Sequence, residues 1–289
     1  MCYTECGGMS IFTFLRHFYE AQQIEYEWYN DIYQLIVGET NVLVEGLTVE
    51  KYHSIKDKYN IKRKINKLPV YDDKCLEIFV KAYPAEWLQE GISKEAMDKF
   101  NILYSISQNK IIIPHYDVNG NLIGIRGRAL NEWEVENVGK YMPVQIENKW
   151  YSHPLSMNLY GLNLNKNNIK QTKICYLFEG EKSVLKCESF SKPNCGVAVC
   201  GSNFNKYALN ILINECSPSE IIICFDKEQT NNDSTYFDKL YHIGEKYKNY
   251  CNFSFIYDRR NLLDMKDSPV DKGEDTFNKL VKEKWLIII

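Results

Sequence analysis

The sequence predicts an α+β N-terminal half followed by an α/β half built on a mainly parallel sheet. Two observations carry this expectation. Apolar residues recur at helical spacing early in the chain, then give way near Lys110 to two apolar runs flanking an Asn-Gly dipeptide, which is a hairpin signal. Beyond Lys170, short continuous apolar runs alternate with helical stretches, the pattern of parallel strands covered on both faces by crossover helices. With 289 residues, 45% hydrophobic and 25% charged, the chain has the composition of a globular protein and the length of about two domains.

The elements follow in order. Ile11, Phe14, Leu15 and Phe18 fall at helical spacing behind Ser10, a good capping residue, and predict a helix over 10–28 entered from a knuckle-like turn. A second helix is expected over 31–47. Lys51, Lys56, Lys58, Lys62, Arg63, Lys64 and Lys67 form a basic run relieved only by Asp57, and a solvated linker or a nucleic-acid contact would each account for it. Helical spacing returns over 74–83, and Ser93 is placed to cap a short helix opening at Lys94. The hairpin is expected over 110–117 and 122–128, around Val118-Asn119-Gly120-Asn121. In the second half, strands are expected at 174–178, 196–200, 220–225 and 253–257, with helices at 182–189, 206–215 and 235–247 between them.

Lys and Arg total 35 against 38 Asp and Glu, a net charge of -3, so nucleic-acid binding would require a local patch. The opening residues lack the basic-then-apolar pattern of a secretion signal, and no apolar run approaches the ~18–20 residues of a membrane span. A soluble cytoplasmic protein without a membrane partner is expected. The ten cysteines agree with a reducing compartment, because Cys175, Cys200 and Cys224 sit in apolar runs where a thiol packs as a small hydrophobe.

Open parallel sheets bind ligands beyond the carboxyl ends of their strands. That rule singles out Glu179-Gly180-Glu181, Gly201-Ser202, Asp226-Lys227-Glu228 and Asp258, with Asp264, Asp267 and Asp271 in a later loop. Carboxylates gathered at one sheet edge repel unless a cation lies between them, and hard divalent ions take such oxygen ligands. Glu179, Asp226 and Glu228 together therefore point to metal-dependent phosphoryl transfer or a nuclease centre, although any one acid could simply cap a helix. Other templates fail. Gly180-Glu181-Lys182-Ser183 matches only the tail of a phosphate-binding P-loop, no Gly-x-Gly-x-x-Gly follows the first strand, and the five histidines form no zinc-peptidase pattern.

Read in order, Phe178-Glu179-Gly180-Glu181-Lys182-Ser183-Val184-Leu185, Val197-Ala198-Val199-Cys200-Gly201-Ser202, Cys224-Phe225-Asp226-Lys227-Glu228 and Lys266-Asp267-Ser268-Pro269 resemble a TOPRIM domain. This Rossmann-like, metal-binding module is shared by topoisomerases, some nucleases and bacterial primases. The preceding half resembles the primase branch. Its residues 111–128 hold an apolar strand, a Gly turn and the run Gly124-Ile125-Arg126-Gly127-Arg128, followed by Lys140-Tyr141 and Asn158-Leu159-Tyr160-Gly161-Leu162. Over 74–275 the chain resembles a bacterial-type DNA primase of the phage or mobile-element kind. The segment from Cys2 to Phe12 is similar to the closing half of the primase zinc ribbon, but Cys2 and Cys6 are only half of a four-ligand zinc site. The expectation is a primase with its zinc ribbon truncated and no zinc bound unless a second chain adds ligands.

The resemblance implies three parts: a ribbon remnant and helix in 1–30, a basic nucleotide-binding subdomain in 31–170, and a TOPRIM metal-binding domain in 171–289. It implies template-directed primer synthesis from nucleoside triphosphates on single-stranded DNA, with Mg²⁺ or Mn²⁺ as cofactor. Glu179, Asp226 and Glu228 would be catalytic, the same three with Asp267 would hold the metal, and Arg126, Arg128 and Lys140 would contact nucleotide or DNA phosphates. A replicative helicase would be a partner on a separate chain, since the sequence ends at Ile289, soon after the TOPRIM-like part. Several positions depart from the family pattern. Ser183 and Glu228 stand where aspartates are usual, Glu90 where an arginine is usual, and Leu155 and Met157 where basic residues are usual. A TOPRIM metal-dependent nuclease and a non-catalytic, single-stranded-DNA-binding replication accessory protein therefore stay open as alternatives.

Overall fold

The computed structural model describes residues 67–287 except 202 and 229–233. Cys2, Cys6, the helices expected over 10–47 and the basic run as far as Lys64 lie outside the described residues. Lys67–Ile289 form one compact unit, with mixed α/β content on two sheets.

The first sheet is an antiparallel meander of β1 (Leu103–Ser105), β2 (Lys110–Tyr116), β3 (Leu122–Ala129), β4 (Tyr141–Ile146) and β5 (Lys149–Tyr151), paired in that order. The β2–β3 hairpin turns where the Asn-Gly dipeptide places it. Gly120 takes φ +86, and the Asp117 carboxylate accepts hydrogen bonds from the backbone N–H groups of Asn119 and Asn121, both at 2.9 Å. Two short helices precede the sheet, α1 (Ala85–Gln89) and α2 (Lys94–Lys99), the second capped by Ser93, whose hydroxyl accepts from Ala96 N at 3.1 Å. The helix expected over 74–83 does not form. A 3-10 turn at Asp73–Leu76 stops short, and Val80 instead pairs with Tyr104 at the sheet edge through two backbone hydrogen bonds of 3.0 and 2.8 Å. After β3 comes α3 (Glu132–Asn137), capped by Asn131.

The second sheet has the order β10-β9-β8-β6-β7. Its strands β6 (Ile174–Phe178), β7 (Gly196–Ala198), β8 (Glu220–Cys224) and β9 (Asn252–Phe255) are parallel, and β10 (Trp285–Ile287) closes one edge antiparallel to β9. The helices are α4 (Leu162–Thr172), α5 (Glu181–Glu188), α6 (Lys206–Cys216), α7 (Ser234–Glu245) and α8 (Glu274–Lys282). Strand alternation sorts the core. Cys175, Leu177, Ile221 and Ile223 pack with Ile169, Leu209, Leu212 and Leu240 on one face. Phe178, Ile222 and Cys224 pack on the other with Val184, Leu185, Phe277 and Leu280, and with Trp87, Met97, Ile111 and Ile113 from the first half. The two sheets therefore share a core, and burial of each such large side chain contributes roughly 1.5–3 kcal/mol. Among the described residues, no helix is long and apolar enough to cross a membrane.

One glycine shows how tightly the halves meet. Gly161 starts α4 at φ +84, where a Cβ would lie 2.9 Å from Val184 Cγ1 and 3.3 Å from Phe100 Cε1. Gly161→Ala is expected to destabilise by about 1–3 kcal/mol, read as a lowered urea midpoint at unchanged slope. An unchanged midpoint would mean that the contact relaxes freely.

Candidate active site

From β6 the chain steps to β7 on one side and returns to β8 on the other, so the loops leaving β6 and β8 diverge at the carboxyl edge of the sheet. A crevice between such loops is the ligand position of a doubly wound sheet. Phe178 and Cys224 are register partners, which brings Glu179 and Asp226 to this edge from adjacent strands. Glu179 Oε1 and Asp226 Oδ1 are buried and have no hydrogen-bond partner. Burial raises the Glu179 carboxyl, and Glu228 adds to the rise. Asp226 is pushed up to about 7 by burial first, and then by the charges of Glu179 and Asp271.

Glu228 faces outward. Its carboxylate accepts from Lys239 Nζ at 2.7 Å and Lys266 Nζ at 3.1 Å, and these bonds, Lys239 foremost, hold it below the usual glutamate range. Lys227, between the two acids, points the other way and is buried. Its ammonium donates to Asp258 Oδ2 (3.1 Å), Asn261 Oδ1 (2.6 Å) and Leu263 O (2.7 Å). Asp258 in turn accepts from the N–H groups of Leu262 and Leu263, so the acid three residues past β9 fastens a loop.

Asp267 reaches this edge through its backbone, whose carbonyl accepts from Lys227 N at 2.8 Å. Its carboxylate is turned elsewhere, accepting from Asp264 N at 2.8 Å and pairing with Lys272 at 3.2 Å. Asp271 is the loop acid whose charge acts on Asp226, and it is held by Lys186 Nζ at 2.5 Å and Ser268 N at 2.8 Å. The structure thus gathers Glu179, Asp226, Glu228 and Asp271, with the Asp267 carboxylate directed away. Nothing in the spacing distinguishes Asp271 from Asp267 as the loop acid whose charge acts on Asp226.

The cations divide in the same way. Arg128 forks onto Glu86 with bonds of 2.7 and 3.4 Å and lies 6.0 Å from the Trp87 ring. Lys140 is exposed, and its ammonium has no hydrogen bond or ion pair among the described residues. Arg126, expected at a phosphate, is instead engaged inside the protein. Its guanidinium bonds the buried Glu181 carboxylate and donates to Tyr141 O at 3.3 Å. The reason is electrostatic, because a carboxylate as buried as Glu181 requires a counter-charge. Two lysines of α5 were not singled out from the sequence. Lys182 pairs with Glu90, and Lys186 lies 3.3 Å from the same carboxylate, so the acid at the position where the primase pattern has an arginine is answered by cations one helical turn apart.

Orphaned oxygens on two mutually repelling acids fit a hard divalent cation, which would supply the charge that these groups lack. The basic groups Arg128, Lys140 and Lys182 stand close enough for Arg128 and Lys182 to act on Lys140, and could meet anionic oxygen nearby.

The fold is that of the bacterial primase catalytic core. The chain superimposes on a DnaG primase catalytic domain bound to single-stranded DNA with a TM-score of 0.52 at 16% identity, covering 70% of this chain and 71% of that one. The Aquifex aeolicus primase, comprising zinc-binding and RNA polymerase domains, matches with a TM-score of 0.54 at 16% identity, over 99% of this chain and 73% of that one. The E. coli primase catalytic core gives 0.52 at 16% identity, over 70% and 72%. No family model matches the chain. In sequence, the chain belongs to the family of the SPbeta prophage-derived uncharacterized protein YorJ of Bacillus subtilis (strain 168), to which it is 35% identical over 307 aligned residues, 98% of this chain and 81% of that protein.

Proposed function

We propose that this chain is a DNA primase of a phage or mobile element, whose second half is a TOPRIM metal-binding domain. The observation that carries the reading is the pair of unpartnered, buried carboxylate oxygens on Glu179 and Asp226 at the switch point of the sheet. The fold shared with primase cores, one of them bound to single-stranded DNA, supports it.

Glu179 and Asp226 would hold Mg²⁺ or Mn²⁺, with Glu228 and the Asp267–Asp271 loop beside them. When bound, the ion neutralises phosphate charge during attack of a 3′-hydroxyl on an α-phosphate. The remaining work falls to side chains of the chain itself. Lys140 offers a free ammonium to triphosphate or template phosphates, and Arg128 would bring its planar fork to them on leaving the exposed Glu86. Lys227, through Asp258 and Leu263, fixes the loop that carries Asp226. Arg126 takes the supporting part of anchoring Glu181, two residues beyond Glu179. Single-stranded DNA and nucleoside triphosphates are the proposed partners, and a replicative helicase would join as a separate chain.

Labelled-nucleotide incorporation on single-stranded DNA tests this. Metal-dependent oligomers are expected from the wild type, and Asp226→Ala should reduce them by ~10²–10³-fold or more. Metal-dependent cutting of the template in place of synthesis would identify a nuclease. DNA binding without either reaction, unaffected by the substitution, would identify an accessory protein.

A further inference from the structure

A second group of ligand-type atoms lies inside the protein, on the buried side of the loop that carries Glu179. Among the described residues, one set of three His, Cys, Asp or Glu side chains brings its ligand atoms within 4.8 Å of one another: His115 on β2, Glu181 at the start of α5, and Cys200 just past β7. We infer that His115, Glu181 and Cys200 form a binding site for a divalent transition ion of the zinc class.

The geometry fits. His115 Nε2 and Glu181 Oε1 are 3.2 Å apart, close to the ~3.3 Å that separates two ligands of a tetrahedral ion with bonds of ~2.0 Å. Imidazole, thiolate and carboxylate together favour zinc or cobalt over Mg²⁺, which prefers oxygen alone. Cys200 adopts φ +57, a left-handed conformation unusual for a side chain with a Cβ. Strained backbone of this kind persists where surrounding structure requires it.

Unsatisfied polar atoms gather around the same place. The His153 and Tyr160 rings each lie 4.9 Å from the His115 ring, and His153 Nε2 and Tyr160 Oη are both buried without a partner. His153, whose ring nitrogens fall outside the set of ligand atoms within 4.8 Å of one another, borders the site. Gly124 leaves it room, since a Cβ there would lie 2.4 Å from His153 Nδ1. Arg126 bonds the same Glu181 Oε1 that meets His115 Nε2, so an ion would take the other carboxylate oxygen or share Oε1 with the guanidinium as its outer partner. Binding would replace the Cys200 thiol proton, released to solvent, and would move the His115 ring proton to Nδ1 so that Nε2 offers its lone pair.

The test uses the full chain with Cys2→Ser and Cys6→Ser, which removes the other candidate thiols for zinc, after treatment with a chelator. Titration with Co²⁺ is expected to raise a near-ultraviolet thiolate charge-transfer band that saturates when one ion occupies this site. Cys200→Ser should abolish the band and weaken binding at least a hundredfold, His115→Asn should weaken it similarly, and Asp226→Ala should leave the band in place. X-ray absorption of the zinc-loaded parent needs no further variant, and should show one sulfur at ~2.3 Å among nitrogen and oxygen neighbours. An oxygen-only shell, no thiolate band in the parent, or a band that survives Cys200→Ser would overturn the site. Primer synthesis is not read in any of these measurements, so the proposal stands or falls separately from the primase reading.

Discussion

Asp226→Asn is expected to abolish metal-dependent synthesis and yet make the metal-free protein more stable at pH 8. Asp226 is pushed up to about 7 by burial and by the neighbouring charges of Glu179 and Asp271, whereas an aspartate in the unfolded chain titrates near ~3.9. The folded state therefore holds this proton to higher pH than the unfolded state. As pH rises from ~4 towards 7, stability is progressively lost, and above the folded value the penalty is complete. At ~1.4 kcal/mol per unit, the upper limit is on the order of 4 kcal/mol. Asparagine carries no charge to bury or repel, so its advantage over the wild type should be largest at pH 8 and vanish towards pH 4. Millimolar Mg²⁺ at pH 8 should raise the wild-type melting temperature and leave the variant unchanged, because only the carboxylate pair binds the ion. Thermal melts from pH 4 to 8, with and without Mg²⁺, check both parts. A variant less stable than wild type at pH 8 would make Asp226 a structural anchor and remove the main support for the metal centre.

The positions of the buried strands were legible because each is a short apolar run, although three of the four expected ends, at 200, 225 and 257, overshoot the observed strands by one or two residues. Residues 174–178 form β6 with those bounds, and Glu179 could be placed at the sheet edge from the sequence alone. The Asn-Gly turn and the Ser93 cap were legible because their chemistry is local. Elements that depend on a distant partner were not. The three-residue strand β10 exists because β9 offers an open edge for Trp285–Ile287 to pair with, and Val80 leaves helical geometry because Tyr104 pairs with it. The same limit applies to side chains. Arg126 and Arg128 alternate onto one face of β3, yet one meets Glu181 and the other Glu86. No spacing within β3 reveals that a buried acid 55 residues on will claim the first. Nor does the sequence show that His115 and Cys200, in separate apolar runs, will meet that acid.

Glu181→Ala is expected to cost about 3–5 kcal/mol, the range for breaking a buried ion pair by removing one partner. Glu181 is 2% exposed and Arg126 13%, so the guanidinium would stay behind in a low-dielectric site without its counter-charge. Burial alone would raise the Glu181 carboxyl, but the His115 hydrogen bond and the Arg126 charge hold it down to about 2. Burial keeps His115 neutral. Since an ionised carboxylate only accepts, His115 Nε2 must carry the proton that it donates in the metal-free protein. A glutamate in the unfolded chain titrates near ~4.3, so the stability from this group is present above that value and is lost as pH falls towards about 2. The wild type should therefore lose stability between pH 4 and 2 more steeply than Glu181→Ala does. Arg126→Met in the same background should recover much of the loss by removing the stranded charge. Urea midpoints of the two single variants and the double variant measure this coupling. A cost below about 1 kcal/mol for Glu181→Ala would mean that Arg126 can swing out to solvent. In that case the arginine would be free to meet a phosphate, as its place in the primase-like run Gly124-Ile125-Arg126-Gly127-Arg128 implies, and the buried pair would be one of its resting positions.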